Sequence, residues 1–474
     1  MRRQPRSGQA GNRPASARGA SYGEVTPKRP SGREGGKPGA GRFPVFIAAL
    51  IALSAGCGGP HGEAGGDDAR ARFTVTGDAE IIAKVIVNCG DCDWANTGSE
   101  ARVVAVTLDA RPPMHVPVVR SGPAEYHVLL GTVASGEHSV TVIEDPNLTA
   151  PSLRGKAPSA YPIEIVQVPV TAANYQAVSL APFIYARADT VGRFTDVPLL
   201  MWYETELTAR GTRFRYSVVF SNEDGGTPAD RLMATWGRTT DIEYVYSVEV
   251  DANDAILSED MQGPKHEILP FKGKREGQHP LLWVSTENNM VLDHGATTVR
   301  YAPAPMAMDL KDASREVVMD AHAWTYEVMT KELMREGKIV ADAPPGQGTI
   351  PDPRRYVFLE GCGEAGNNAI AVSVNVAGVW WPSDRGVTEY RIVRDGCFRA
   401  AIPLPGTAGP GDVRAVRVQA FARKDKPANT PSRFTRLNRV FALNERFEPG
   451  QDVLRWTGTA VLRPGGPPFE MPVR

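Results

Sequence analysis

The sequence lacks the short motifs that identify many enzyme active sites. It has no Gly-x-Ser-x-Gly nucleophile elbow, no phosphate-binding P-loop and no EF-hand calcium loop. His266-Glu267 is not followed by the second histidine of a zinc-binding helix, and Pro270 would interrupt such a helix. These absences favour a non-enzymatic protein, although they do not exclude catalysis by a less regular site.

A basic surplus is also lacking from most of the chain. Ten Lys and Arg residues but only two Glu residues precede Cys57, which leaves 43 basic and 52 acidic residues and a net charge of about −9 from that point on. Proteins that bind the phosphate backbone of nucleic acids need a basic face. The composition therefore predicts no nucleic-acid partner.

Large apolar side chains are scarce in residues 1–42, which are rich in Gly, Pro, Arg and Ser and are predicted not to fold. The uncharged run 43–55 is too short to span a bilayer but suits the core of a signal peptide. The residues that follow, Ser54-Ala55-Gly56-Cys57, resemble the lipobox of bacterial lipoproteins. That resemblance implies cleavage after Gly56 and acylation of Cys57. An ordinary signal peptide with a coincidental cysteine is the alternative.

The residue after Cys57 is Gly58 rather than Asp, which in Gram-negative lipoproteins favours the outer membrane. The resemblance thus implies an exported protein whose lipid anchor binds it to the membrane of the bacterial envelope. Residues 57–71 are polar and Gly-rich and are predicted to be a flexible tether. No later stretch is long and apolar enough to predict a transmembrane helix.

Only four cysteines remain once Cys57 is assigned to lipid. Because exported proteins meet an oxidising environment, we predict the disulfides Cys89–Cys92 and Cys362–Cys397. The CGDC sequence also fits a redox motif of the thioredoxin kind, but that chemistry needs its first cysteine at a helix N-terminus. Here a strand-like run, Ile81–Val87, precedes the motif and a turn follows it. A structural disulfide, or half of a metal site, is therefore favoured.

Short apolar and β-branched runs, separated by turn residues every 8–12 positions, predict a mostly β, multidomain protein built of antiparallel β-sandwiches. Residues 125–145 are predicted to form a hairpin that turns at Ala134–Glu137. The runs 201–207 and 212–220 are predicted to form a second hairpin, which turns at Arg210-Gly211 and places Leu207 opposite Phe214. The predicted segments are a leader and signal peptide (1–56), the tether (57–71), an Ig-like sandwich (72–173), a β-rich middle domain that ends in a helix (174–340), a linker (341–353) and a C-terminal β domain (354–474).

Helical periodicity is confined to one short segment, at about 312–336. It begins with Asp312 or Ser314 as a capping residue and ends at Gly337. The His-Ala-Trp sequence at 322–324 in its middle indicates a break into two helices. The helical segment is followed by the Pro- and Gly-rich linker, which supports the end of the middle domain near residue 340.

Candidate site residues concentrate between positions 220 and 251. The turn Ser-Asn-Glu-Asp-Gly-Gly contributes Glu223 and Asp224. After a short connection, Asp241 and Glu243 begin an alternating run that is predicted to be a strand. Because residues two apart share one face of a strand, both carboxylates are predicted to point the same way. The same alternation places Ser247 and Glu249 on their face, and it places Ile242, Tyr244, Tyr246, Val248 and Val250 in the core.

A second polar segment surrounds the apolar strand 279–284. His279 stands at its start, Glu287 and Asn288 follow its end, and His294 comes soon after. Imidazole, carboxylate and amide groups would extend the set of ligands around Asp241 and Glu243. The predicted ligand-binding set therefore comprises Asp241, Glu243, Glu223, Asp224, His279, Glu287 and Asn288.

Three interpretations of this set remain open. The first and favoured one is an ordinary polar strand face beside a polar turn. The second is a ligand groove, in which Asp241 and Glu243 are the candidate ligands for Ca²⁺ or Mg²⁺, since these ions prefer oxygen. The third is a cation-dependent hydrolase of envelope glycan or lipid, in which Glu243 works with His279 or His294. Overall we predict non-enzymatic binding of an envelope glycan, lipid or protein through the middle domain.

The segment 237–243 (GRTTDIE) and the His-Pro-led strand after it resemble two β-rich families. One is the necrosis- and ethylene-inducing-peptide-like proteins, with the heptapeptide Gly-His-Arg-His-Asp-Trp-Glu; the other is a vacuolar-sorting-associated domain with Gly-Asp-Trp-Glu and His-Pro-Val-Val-Tyr segments. The first resemblance implies a β-sandwich that holds a divalent cation and binds sphingolipid head groups. Only Asp241 and Glu243 match its ligands, because Arg238 and Thr240 replace both histidines.

Overall fold

Most regular structure in this protein is β-strand, which confirms the predicted fold class. The computed structural model describes residues 69–155, 161–223, 225–427 and 430–473. Cys57, Asp224, the predicted leader and most of the predicted tether lie outside these residues.

In chain order the strands are β1 (Ala69–Val75), β2 (Ala79–Asn88), β3 (Arg102–Leu108), β4 (Met114–Val118), β5 (Pro123–Val133), β6 (Gly136–Glu144), β7 (Ile163–Pro169), β8 (Phe183–Tyr185), β9 (Pro198–Leu207), β10 (Thr212–Phe220), β11 (Asp241–Val250), β12 (Ile256–Gln262), β13 (Ile268–Pro270), β14 (Arg275–Glu276), β15 (His279–Val284), β16 (Val291–Leu292), β17 (Arg300–Tyr301), β18 (Pro305–Ala307), β19 (Tyr356–Glu364), β20 (Asn368–Val376), β21 (Val379–Pro382), β22 (Gly396–Pro403), β23 (Val413–Ala422), β24 (Ser432–Phe441), β25 (Trp456–Leu462) and β26 (Phe469–Pro472). The α-helices are α1 (Tyr175–Ser179), α2 (Ala229–Trp236), α3 (Val317–Ala321) and α4 (Trp324–Arg335). Short 3-10 turns lie at Pro151–Leu153, Pro353–Arg355, Thr388–Tyr390 and Pro410–Asp412.

Strands β1 to β7 form two antiparallel sheets. One sheet has the order β1-β6-β3-β4 and the other the order β5-β2-β7. Alternate residues of both sheets, such as Ile81 and Val85 of β2 and Val104 and Val106 of β3, enter one hydrophobic core. This pattern follows from strand geometry, in which every second side chain points to the same face.

The predicted hairpin at 125–145 is wrong. Strand β5 pairs with β2, whereas β6 pairs with β1 and β3. The chain therefore crosses from one sheet to the other between Val133 and Gly136. A short polar turn can join strands of one sheet or of two facing sheets, so the turn alone did not decide the pairing.

The middle of the chain forms a six-stranded sheet of order β13-β12-β11-β10-β9-β18 and a smaller sheet of order β14-β15-β8-β17, in which β16 also pairs with β15. The pairs β9–β18 and β8–β15 are parallel, and the other strand pairs described in these sheets are antiparallel. The six-stranded sheet is buried on both faces. Val218 on one face shares a core with the β1–β7 region, and Val219 on the other shares a core with helices α3 and α4.

The predicted helical segment and its break are confirmed, but the first helix begins at Val317, after Glu316, so the predicted cap at Asp312 or Ser314 is wrong. Helix α3 ends at Ala321 and α4 begins at Trp324, with His322 between them at φ −129° and ψ 62°. Val318 of α3 and Met329 of α4 are fully buried in the core that the helices share with β19, β22 and β24. Among the described residues, no helix is both long and apolar enough to span a lipid bilayer.

Strands β19 to β26 form two four-stranded sheets, of order β22-β19-β24-β25 and β21-β20-β23-β26. Val357, Val372 and Val416 are among the residues that fill the core between them. The described residues, 69–473 with the gaps given above, all belong to one compact unit. The division of this unit into three domains stays a prediction.

Both predicted disulfides are confirmed. Cys89 and Cys92 are bonded across a loop with their Cα atoms 5.4 Å apart. Cys362 of β19 lies directly opposite Cys397 of β22, and their Cα atoms are 3.9 Å apart. The CGDC sequence lies in the loop after β2 rather than at the start of a helix. This position supports a structural disulfide over a redox centre.

Candidate functional site

Asp241 and Glu243 lie at one end of the six-stranded sheet, where β10 ends and β11 begins. Phe220 is paired with Asp241 and Val218 with Glu243. Directly paired residues of antiparallel strands share a face. Both carboxylates therefore point to the face whose other side chains join the β1–β7 core.

The predicted strand face is right for these two residues but wrong for Ser247 and Glu249. A β-bulge shifts the register, so that Tyr216 pairs with Tyr246 and Ser217 with Tyr244. The extra residue reverses the alternation, because each residue added to one strand turns the next side chain to the other face. Glu249 is instead bound on the opposite face by Arg210 and Arg213.

Asp241 is almost completely buried, with 2% of its surface exposed. Its Oδ2 accepts a hydrogen bond from Asn289 Nδ2 at 3.0 Å, and its Oδ1 lies 4.0 Å from Arg238 Nη1. A carboxylate in this position cannot contact a ligand directly without a rearrangement of its neighbours. Its influence on a ligand would act through its charge.

Asn289 connects three loops around Asp241. It is fully buried at φ 56°, and its Nδ2 also lies 3.1 Å from the Asn222 carbonyl oxygen and 3.5 Å from Asp196 Oδ1. The sequence analysis selected Glu287 and Asn288 but missed Asn289. The available signal was the side-chain type, because asparagine tolerates the left-handed conformation better than most residues.

A chain of hydrogen bonds leads from Glu243 towards the surface. Gln262 Nε2 donates to Glu243 Oε2 at 3.2 Å and lies 2.9 Å from His266 Nδ1. His266 Nε2 lies 3.1 Å from Asn288 Nδ2. Asn288 is thus connected to Glu243 through His266 and Gln262. His266 is not in the predicted set, because the sequence around it lacks the second histidine of a zinc-binding helix.

Arg238 supplies the positive charge nearest Asp241. Its Nε donates to Glu316 Oε1 at 3.1 Å, its Nη1 donates to the Thr240 carbonyl oxygen, and only 5% of its surface is exposed. The guanidinium is therefore shared between Asp241 and Glu316. Glu316 lies just before helix α3 and was not visible in the sequence as part of the site.

The presence of glycine at position 237 has a local structural reason. It ends helix α2 in the left-handed conformation at φ 64°, which is the usual role of glycine after a helix. A Cβ at this position would also lie only 2.7 Å from Arg399 Cγ. The helix end and this close contact explain the glycine of the GRTTDIE segment without reference to a ligand.

The other predicted residues are only partly brought together. Glu287 is exposed, and its carbonyl oxygen accepts a hydrogen bond from the Gly225 amide at 3.4 Å, so it lies beside the loop that carries Glu223. His279 lies at the start of β15, whereas Glu287 follows the end of that strand. At about 3.3 Å per residue, the strand places His279 roughly 20 Å from Glu287. His294 is 78% exposed and pairs with Asp293.

Burial raises the proton affinity of all three carboxyl groups, and the charge of Asp241 raises that of Glu223 and Glu243 further. Burial, and then the neighbouring Asp241 carboxylate, raise the pKa of Glu223 to about 8. Burial raises the pKa of Asp241 to about 6, although Arg238 and Asn289 oppose this change. Burial and Asp241 likewise raise the pKa of Glu243 well above its usual range. The cluster therefore retains protons at pH values where isolated carboxyls are ionised.

These values predict that ionising the cluster destabilises the fold. Unfolded carboxyls ionise near pH 4, so between about pH 4 and pH 8 the folded chain binds more protons and stability falls as pH rises. Asp241→Asn removes one such group, and the rise in its pKa corresponds to about 3 kcal/mol. We expect the variant to gain up to about 3 kcal/mol over the wild type between pH 5 and pH 8 in chemical denaturation with chelator present.

The control for this measurement is Asp342→Asn, which removes an exposed carboxyl in the linker after β18 and the helices. It should follow the wild-type pH profile. If the free energy of unfolding of Asp241→Asn and of the wild type changes with pH in the same way, Asp241 is already ionised at pH 5 and its ionisation does not destabilise the fold.

The predicted Ca²⁺ or Mg²⁺ ligation by Asp241 and Glu243 stays a prediction. Within residues 69–155, 161–223, 225–427 and 430–473, no group of three or more His, Cys, Asp and Glu side chains is arranged to hold a metal ion. Asp224, the fourth acidic member of the predicted set, lies outside those ranges. Asp241, Glu243 and Glu223 are oxygen donors of the kind that Ca²⁺ prefers, but in the described residues their positions do not form such a group.

Comparison with known proteins adds little to this geometry. No protein-family profile and no curated protein matches the sequence. The solved structure of NLPPya in complex with mannosamine is similar over 28% of this chain and 70% of that chain, with 12% sequence identity and a TM-score of 0.21. A TM-score of this size supports no argument about shared fold or ligand.

Proposed function

We propose that this chain is a lipid-anchored protein of the bacterial envelope that binds a positively charged ligand, without catalysis, at the Glu223–Asp241–Glu243 cluster. The anchor rests on the apolar run 43–55 and on Cys57, which the sequence alone supports. The ligand class rests on the charge of the cluster.

The observation that carries the proposal is an excess of negative charge. Glu223, Asp241 and Glu243 contribute three carboxyl groups, and the guanidinium groups that lower their pKa values are those of Arg238 and Arg315. Arg238 is already bound to Glu316. The remaining carboxyls need protons or an external cation, because like charges at close range disfavour joint ionisation.

The residues of the site differ in exposure. Glu223, Glu243, Gln262, His266 and Asn288 are half-buried, and Glu287 is exposed, whereas Asp241 and Asn289 lie beneath them. A cationic group of a ligand would therefore contact the half-buried carboxylates. The buried Asp241 would strengthen the attraction without touching the ligand.

Binding is favoured over hydrolysis by the positions of the histidines. His279 and His294, the predicted catalytic partners of Glu243, are bonded to Glu80 and Asp293. His266 lies closest to the carboxylates, but both of its ring nitrogens are next to side-chain amides. The hydrolase hypothesis stays a prediction.

Calorimetric titration of the full chain in detergent tests this proposal. The probes are CaCl2, MgCl2 and ethanolamine, which separate a metal ion from an organic ammonium group. We expect at least one probe to bind the wild type and to bind Asp241→Asn/Glu243→Gln at least tenfold more weakly. The matched control, Glu137→Gln/Asp342→Asn, removes the same charge from two exposed positions and should bind as the wild type does.

Proton release provides a second measurement in the same experiment. Because the cluster holds protons at neutral pH, a bound cation should displace them, and the observed heat should change with the ionisation enthalpy of the buffer. No heat with any probe, or equal affinity in the cluster variant and the wild type, would refute the proposal.

A further inference from the structure

We propose a second ligand site, independent of the acidic cluster, that binds a small organic carboxylate. A cleft of about 260 Å³ lies between the end of β5 and the β14–β15 turn. Its volume is just below the range typical of ligand pockets, so it suits a molecule the size of a small metabolite rather than a polymer. Its walls are Arg111, Gly131, Thr132, Glu276, Gly277 and His279.

Arg111 provides the charge that would select an anion. Its Nη2 donates to the Thr132 carbonyl oxygen at 2.6 Å, which fixes the guanidinium on the cleft wall. It forms no ion pair with a carboxylate among the described residues, and its side chain is half-buried. A guanidinium held in this way keeps N–H donors for a carboxylate, which it can bind through two parallel hydrogen bonds.

Gly131 makes room for this arrangement. Its φ of 94° disfavours any L side chain, and a Cβ there would lie 3.3 Å from Arg111 Nη1 and 3.6 Å from His279 Cδ2. The guanidinium and the imidazole therefore both lie against the bare backbone of β5. A Cβ at position 131 would require the Arg111 guanidinium to shift by a few tenths of an ångström.

The floor of the cleft is rigid. His279 is 1% exposed and stacks on Phe183 with the ring centroids 4.4 Å apart. Its Nε2 lies 3.0 Å from Glu80 Oε2 and its Nδ1 lies 2.8 Å from the Ala181 carbonyl oxygen. Thr132 Oγ1 donates to the other oxygen of Glu80. Both ring nitrogens are thus occupied, and His279 shapes the site rather than reacting in it.

The remaining charge on the wall is already neutralised. Glu276 is bound by Arg300, which is 1% exposed and also donates to the carbonyl oxygens of Pro112 and Pro113. Among the described charged groups that line the cleft, Arg111 is therefore the one that forms no ion pair, although its charge contributes to the lowered pKa of Asp109. One unpaired guanidinium matches the single charge of a carboxylate better than the double charge of phosphate.

Saturation-transfer NMR with the full chain tests this site. The probes are lactate and lactamide, which differ in that an amide replaces the carboxylate, with inorganic phosphate as a competitor. We expect lactate to bind the wild type and to bind Arg111→Gln at least tenfold more weakly. Arg111→Lys should bind with intermediate affinity, since lysine keeps the charge but loses the paired donors.

The matched control is Arg423→Gln, because Arg423 is half-buried like Arg111 and its ion pair among the described residues is with Asp425, far from the cleft in sequence. It should leave lactate binding unchanged. Equal lactate signals in Arg111→Gln and the wild type, or equal signals from lactamide and lactate, would overturn the proposal. Competition by phosphate as strong as that by lactate would overturn the carboxylate assignment. If Arg111→Gln does not fold, the charge-preserving Arg111→Lys variant decides the outcome.

Discussion

Replacing Arg399 with alanine is expected to reduce the free energy of unfolding by about 3–5 kcal/mol, because it leaves buried carboxylates without their partner. Arg399 is fully buried and forms ion pairs with Asp320 at 2.7 Å and Glu360 at 2.5 Å. Its Nη1 also donates to the Tyr326 hydroxyl at 2.7 Å. Burial alone would raise the pKa of Asp320, but the Arg399 guanidinium more than offsets this and holds it below its usual range.

Urea denaturation at pH 7 measures this effect. Arg423→Ala, which removes a half-buried arginine that is paired with the exposed Asp425 in the same C-terminal region, should change the free energy of unfolding by less than about 0.5 kcal/mol. A loss below about 1 kcal/mol for Arg399→Ala would mean that Arg439, which also pairs with Asp320 at 2.8 Å, compensates for the missing charge.

Trp94→Ala is expected to have an effect of similar size, about 3–5 kcal/mol, through the loss of a large buried ring. Trp94 is 1% exposed and follows the Cys89–Cys92 disulfide. Its Nε1 donates to Glu332 Oε2 of helix α4 at 3.0 Å, and the Arg335 guanidinium lies 5.3 Å from its ring centroid. The substitution removes both the packing and the donor.

Trp94→Phe separates these two contributions. Phenylalanine keeps most of the ring but removes the N–H donor, so it should cost about 1–3 kcal/mol. Burial raises the pKa of Glu332 to about 7, and the Trp94 hydrogen bond opposes that rise. The loss in Trp94→Phe should therefore be greater at pH 8 than at pH 5. Equal losses at the two pH values would show that Glu332 does not change its ionisation between pH 5 and pH 8, which would contradict the raised pKa.

Both residues connect the helices to β regions that are distant in sequence. Trp94 joins the loop after β2 to α4, and Arg399 joins β22 to α3. The Glu316 carbonyl oxygen accepts a hydrogen bond from Arg399, while the Glu316 carboxylate binds Arg238 of the acidic cluster. A change at Arg399 should therefore also affect the cluster, so the ligand titrations need variants away from this arginine.

Local patterns predicted the elements better than their pairing. The strands β9 and β10 were visible as alternating runs around Arg210 and Gly211, and the structure joins them as a hairpin. The predicted register paired Leu207 with Phe214, whereas Leu207 pairs with Thr212. The two registers differ by two residues and place the same side chains on each face, so the hydrophobic pattern could not distinguish them.

The candidate site was also predicted better in its local pattern than in the contacts between distant segments. Asp241 and Glu243 were identified from their spacing, and they do share a face. Asn289 and His266 were missed because their role depends on which loops meet at the end of β11. His279 was assigned to the same site because it precedes Glu287 in sequence, but strand β15 places the two at opposite ends.

The sequence by itself determined the strand-rich fold, the broken helical segment and both disulfides, because each depends on neighbouring residues or on simple pairing of the remaining cysteines. The tertiary structure alone decided that Asp241 is buried, that the bulge between Tyr244 and Tyr246 turns Glu249 away, and that Arg111 faces a cleft with His279. These features depend on contacts between segments far apart in the chain. Desolvation and charge coupling at such contacts give Asp241 and Glu223 their raised pKa values, and no local sequence pattern encodes either effect.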